Sequence, residues 1–167
     1  EFICATQELI GFRTEFLTDT KGMGIINSIF YEYQKDPGNY RERDRGSLVA
    51  YESGNTKLYG LVNIQDRGML FVGPGIDVYK GQVVGQNSRA EDISVNVCKE
   101  KKLSNMRSKG DGPTDHFNTP KEMSLENAID YIDDSELVEV TPKNIRIRKI
   151  ILDEIEARKQ KALHRFN

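Results

Sequence analysis

The sequence predicts an α+β chain. Half of a ferredoxin-like split β-α-β unit is followed by a mainly β, small barrel-like domain with short helices and a C-terminal helix. Three observations carry that class. Apolar residues recur at helical spacing over 9–17, and a run rich in β-branched and aromatic residues follows over 24–33. Short apolar runs between residues 47 and 97 are divided by glycine-bearing turns, as in small all-β domains. After Ser124 the pattern alternates between helical and strand periods.

Taken in order, residues 1–5 read as the end of a strand. Thr6 is an N-cap, and Leu9, Phe12, Phe16 and Leu17 form the apolar face of a helix that Gly22 stops. Gly24 to Tyr33 reads as the second strand. This β-α-β stretch forms one unit over 1–35, with only half of a split sandwich present. The polar, turn-rich stretch 34–46 holds the boundary to a second unit over 36–167. Its alternating charges, Arg41 to Arg45, read as a solvated connector.

In the second unit, turns are expected at Ser53-Gly54-Asn55, Asp66-Arg67-Gly68, Gly73-Pro74-Gly75 and Lys80-Gly81. A short helical turn is expected over Leu61 to Gln65. Ser124 caps a helix whose stripe is Leu125, Ala128, Ile129 and Ile132. Leu137 to Val140 is a strand ended by Thr141-Pro142. Ile145 and Ile147 then alternate with Arg146 and Arg148, one face inward and one basic face outward. The tail from Lys149 is helical, with Glu154 and Arg158 as an i,i+4 pair.

The chain has 167 residues, 37% hydrophobic and 30% charged, with a net charge of −2. A domain of this length buries roughly 70% of its unfolded surface. No apolar run approaches the ~20 residues needed to cross a bilayer, so no membrane partner is expected. The first residue is Glu1, which predicts a piece of a longer chain. Cys4 and Cys98 are far apart and have no metal-like spacing, so they read as ordinary thiols in a reducing, cytoplasm-like compartment. A near-neutral sum hides segregated charge. Residues 99–109 and 143–149 are basic, while Glu126, Asp130, Asp133, Asp134, Glu136 and Glu139 form an acidic block between them.

Catalytic machinery is not apparent. There is no Gly-x4-Gly-Lys-Ser/Thr loop to cradle phosphates. Gly73-Pro74-Gly75 is a turn in which proline removes a donor amide. His116 and His164 read as surface histidines. Glu126, Asp130, Asp133 and Asp134 read as the solvated polar face of the short helix, with no metal. The basic run is the better candidate. Lys99, Lys101, Lys102, Arg107 and Lys109 can neutralise phosphates, and Asn105 and Ser108 can fix register by hydrogen bonds. Lys143, Arg146, Arg148 and Lys149 form a second basic surface. A protein-interaction module with an incidental basic loop is the alternative.

Two groups of motifs add a resemblance. Leu9-Ile10-Gly11-Phe12-Arg13-Thr14-Glu15-Phe16-Leu17 through Lys21-Gly22-Met23-Gly24 resembles the second half of the elongation-factor-G-like fifth domain of the BipA/TypA translational GTPases. Gln65-Asp66-Arg67-Gly68, Phe71-x-x-Pro74-Gly75, Val78-Tyr79-x-Gly81, Val84-Gly85, Asn105-x-Arg107-Ser108 and Asp134 to Lys149 resemble that family's C-terminal domain. Gln7-Glu8 departs from the pattern, standing where Arg-Gly is expected, and so does the stretch after Ser108. The resemblance implies a non-catalytic, monomeric, cytoplasmic ribosome-binding part of a GTPase that acts in translation, large-subunit assembly and stress response. GTP and Mg would belong to an upstream domain. The implied partners are large-subunit rRNA and A-site tRNA, met through Lys99, Lys101, Lys102, Asn105, Arg107, Ser108 and Lys109.

Overall fold

The computed structural model describes residues 1–9, 12–35, 43–101 and 116–164. Thr6–Leu9 forms a 3-10 turn and Phe12–Asp19 the helix α1. One turn apart on α1, Phe12 and Phe16 bring their ring centroids to 6.0 Å. The Gly22 N–H donates to the Leu17 carbonyl at 2.7 Å and closes the helix where the sequence predicts. The strands expected on either side do not form. Ile25, Ile29, Phe30 and Tyr33 are 86%, 92%, 71% and 94% exposed. Their β-propensity expresses fit to a pleated, half-buried surface, and no described strand lies alongside to provide one.

The remaining described residues are built on one six-stranded sheet and a small two-stranded one. Their elements are β1 (Ser47–Ala50), β2 (Gly54–Asn55), α2 (Leu58–Gln65), β3 (Gly68–Leu70), β4 (Asp77–Val78), β5 (Gln82–Asn87) and β6 (Ile93–Val95). After them come α3 (Leu125–Tyr131), β7 (Glu136–Val140), β8 (Ile145–Lys149) and α4 (Glu154–His164). The strand order is β6-β1-β5-β8-β7, with β3 also on β5, while β2 and β4 pair separately. Among the described strands only the β1–β6 pair is parallel. The expected barrel does not close: the sheet is open and ends at β6 and β7.

β5 explains why. A strand has two edges, and β1 takes one along Val83 to Gln86. The other edge is shared: β8 pairs with Gln82 and Val83, and β3 with Gly85 to Asn87. Gln82 to Gly85 are all buried, as a strand covered on both faces requires. A register shift between Leu48 and Val49 accompanies the change of partner. Two apolar clusters result. Leu48, Leu61, Ile64, Leu70, Val84 and Val97 form one, which includes α2; Val83, Ala128, Tyr131 and Ile147 form the other, which includes α3.

α3 begins as predicted, with the Ser124 hydroxyl accepting from the Asn127 N–H at 3.2 Å. Its buried face is shifted from the predicted stripe. Ala128 and Tyr131 point inward, while Leu125 and Ile129 are exposed. Tyr131 competes better because its hydroxyl finds polar partners beneath the sheet. α4 is tied on by Ser94, whose hydroxyl donates to Glu154 at 2.6 Å, and by a Lys80–Asp153 ion pair. The predicted Glu154–Arg158 pair forms.

Candidate nucleic-acid interface

α2 positions the basic run. The Lys57 N–H, just ahead of the helix, donates to the Val97 carbonyl at 2.9 Å, holding the chain as it enters the run. Gly60 lets the helix lie directly on that backbone, since a Cβ there would sit 2.7 Å from the Val97 oxygen. At the other end of α2, Gln65 uses both atoms of its amide. Its nitrogen donates to the His116 carbonyl at 2.8 Å, and its oxygen accepts from the Asn118 N–H at 3.0 Å. Between those two, Phe117 packs on the α2 cluster. One helix therefore grips both the outgoing and the returning strand of the span.

Lys99 and Lys101 are exposed, and neither enters an ion pair with a described residue. The one acid of the run, Glu100, is met by Lys57 at 3.0 Å. That pair is exposed and contributes at most about 1 kcal/mol, but it leaves the lysines with no described acid opposing them. Lys102, Asn105, Arg107, Ser108 and Lys109 lie outside the described residues.

The second basic surface divides in two. Lys143 is exposed in the β7–β8 turn, which Thr141 closes by accepting from the Asn144 N–H at 3.0 Å. Arg146 and Arg148 are half-buried and stand opposite Glu139 and Leu137. Tyr79 donates to Glu139 at 2.7 Å. Burial, and then that bond, push the phenol up to about 12. Lys149 is a correction. It has the parity of Ile145 and Ile147, so it points inward. There it is 9% exposed and pairs with Asp92 at 2.7 Å and Glu136 at 2.8 Å, which withdraws it from any outer surface.

Those contacts belong to a buried network that the sequence did not reveal. Arg43, expected in a solvated connector, lies over the Tyr131 ring at 4.2 Å from its centroid. It donates to Glu136 at 2.8 Å, to Asp133 at 3.0 Å and to the Tyr131 carbonyl at 2.9 Å. The Glu136 carboxylate also accepts from Ser47. Within the acidic block Glu136 is buried, and Asp133, expected on a solvated face, is shared between Arg43 and Ser135. Burial opposes the Arg43 charge, but the Glu136 bond and nearby charges outweigh it and raise the pKa further. Burial also opposes ionisation of Asp133, yet bonds from Ser135, with Lys149 and Arg43 nearby, hold its carboxyl below the ordinary value. Nothing in the charge alternation of residues 41–45 distinguishes Arg43; for Lys149 the signal was the strand parity.

Burial pushes the Cys98 thiol up, away from the reactive thiolate. Among the described residues no three His, Cys, Asp or Glu side chains come together as metal ligands. None of the described helices is long and apolar enough to cross a membrane.

Residues 45–154 match the family model of the TypA/BipA C-terminal domain. The chain is 43% identical over 150 residues to the large ribosomal subunit assembly factor BipA of Synechocystis, covering 90% of this chain and 25% of that protein. It is 44% identical over 160 residues to the factor of the same name from Salmonella typhimurium, covering 95% and 26%. For that of Buchnera aphidicola the identity is 47% over 155 residues, covering 92% and 25%. The chain spans about a quarter of the length of these curated relatives.

Proposed function

Since the chain belongs to the TypA/BipA C-terminal domain family, we propose that it is the ribosome-binding, non-catalytic part of a translational GTPase that acts in large-subunit assembly. The relatives' name as large ribosomal subunit assembly factors supports the ribosome as partner. In this reading residues 1–35 are the second half of an elongation-factor-G-like domain, and residues 36–167 are the family's own domain. GTP and its Mg are handled elsewhere in a cytoplasmic, monomeric parent.

The contact is made by the basic run, which meets large-subunit rRNA and the A-site tRNA. One observation carries this. α2 holds both ends of the span, and the cations at its entry, Lys99 and Lys101, are exposed with no described acid opposing them. A gripped loop loses less conformational freedom on binding than a free one. Its lysines release counterions from phosphates, so binding weakens steeply with salt. Lys143, Arg146 and Arg148 offer a second phosphate-contacting patch.

Co-sedimentation with purified large ribosomal subunits over a salt series tests the reading. The chain is expected to pellet at low salt and release as salt rises. A Lys101→Ala/Lys102→Ala/Arg107→Ala variant should bind more weakly with a shallower slope. Binding indifferent to both salt and the substitutions would mean a protein partner and an incidental loop.

A further inference from the structure

Beside β3, next to where the basic span returns to the fold, lies a groove of about 320 Å³ lined by Gln65, Gly68, Met69, Leu70, Asn118 and Thr119. Its floor is rigid. Gly68 approaches β5 so closely that a Cβ would lie 1.9 Å from the Gln86 oxygen, and Leu70 is buried in the core. Its walls differ in kind. Met69 is 51% exposed, a polarizable apolar surface left in solvent. Gln65 is fully engaged by His116 and Asn118. The Asn118 side-chain amide and the Thr119 hydroxyl, both on exposed residues at the rim, bond no described residue.

Cations adjoin the lining residues in sequence on both sides. Arg67, which leads into β3, is exposed and has no ion-pair partner among the described residues. Lys121, whose N–H donates to the Leu70 carbonyl at 2.8 Å, is likewise exposed and unpaired among them. The Gln65-Asp66-Arg67-Gly68 motif is thereby only partly explained by the fold. Gln65 grips the loop and Gly68 seats the strand; Arg67 bonds Ile64 and Ser88 through its backbone, but its guanidinium has no ion-pair partner among the described residues.

A thioether face, an amide edge and two flanking positive charges match one chemical object. That object is a flat, hydrogen-bonding heterocycle with a phosphate on either side. We propose that this groove receives one unpaired RNA base, its ring against Met69 and its edge read by Asn118, with Arg67 and Lys121 on the adjoining phosphates. This inference rests on the RNA-binding reading above and adds base readout to phosphate contact.

The test compares binding of the whole chain to a short single-stranded RNA of adenosines and to an abasic ribose-phosphate oligomer of equal length, over a salt series. The wild type is expected to prefer the base-bearing oligomer by about tenfold, in the range one base contact supplies. A Met69→Ala/Asn118→Ala variant should lose that preference while the salt slope stays the same, because its phosphate contacts remain. Equal binding of the two oligomers by the wild type, or full preference in the variant, overturns the groove and leaves RNA binding standing. Failure to bind either oligomer overturns both. If the variant does not fold, a 4-thiouridine oligomer crosslinked to the wild type decides the matter. Crosslinks on the peptides carrying Met69 or Asn118 support the groove, and crosslinks confined elsewhere overturn it.

Discussion

Replacing Glu136 by Ala should strongly destabilise the domain, clearly more than replacing Arg43 by Met. The Glu136 side chain is 0% exposed and takes Arg43 at 2.8 Å, Lys149 at 2.8 Å and the Ser47 hydroxyl. Its removal takes the fully buried partner from two cations at once, leaving Arg43 only the more exposed Asp133 and Lys149 only Asp92, a loss of up to about 3–5 kcal/mol. Arg43→Met is milder for two reasons. Glu136 keeps Lys149 and Ser47, and the change also deletes a buried Nε–H that has no partner. An unsatisfied buried donor costs about 1–3 kcal/mol in the folded state, so its deletion offsets part of the lost ion pair. Urea unfolding followed by circular dichroism gives both values. If Glu136→Ala costs less than about 1 kcal/mol, or no more than Arg43→Met, the network behaves as surface ion pairs do and the reasoning is refuted.

Three further outcomes follow from the same geometry. Gly60→Ala should destabilise by about 1–3 kcal/mol in urea despite alanine's better helix propensity, because the new Cβ meets the Val97 backbone at 2.7 Å. Gln65→Ala should raise hydrogen exchange at Asn118, whose amide loses its acceptor at 3.0 Å, while protection of β5 stays unchanged. Burial pushes the Tyr131 phenol from 10.0 up to about 12, outweighing the Ser47 bond and the Arg43 charge that favour ionisation, with Glu136 and Asp92 adding to the rise. The unfolded chain therefore releases this proton first, and stability is lost as pH rises through that window, by about 2–3 kcal/mol. Tyr131→Phe should flatten that part of the stability–pH curve; an unchanged slope would show the phenol is not the group responsible.

The legible parts of the fold were those set by local chemistry. The Ser124 cap, the helix that became α2 and the β7–β8 hairpin with Ile147 inward all follow from side-chain period and turn residues. What was illegible depended on partners distant in sequence. A barrel and an open sheet share the same turns, and β5 serving three strands decides between them. The run 24–33 has strand composition, but a ladder needs a neighbour. Arg43 reaches Glu136 across 93 positions, a pairing no local pattern encodes. In the candidate interface the charge of the run could be read directly, whereas its grip could not. Gln65 and Gly60 act through backbone groups of residues 97, 116 and 118, and backbone groups have no sequence signature.

The central claim is that the basic run touches RNA on the large subunit. A photo-crosslinking amino acid placed at Lys101, which is exposed at the mouth of the span, tests it directly in the full-length parent bound to ribosomes. Crosslinks to large-subunit rRNA or to A-site tRNA are the predicted result. Crosslinks only to ribosomal proteins, or none while the complex is intact, would contradict it.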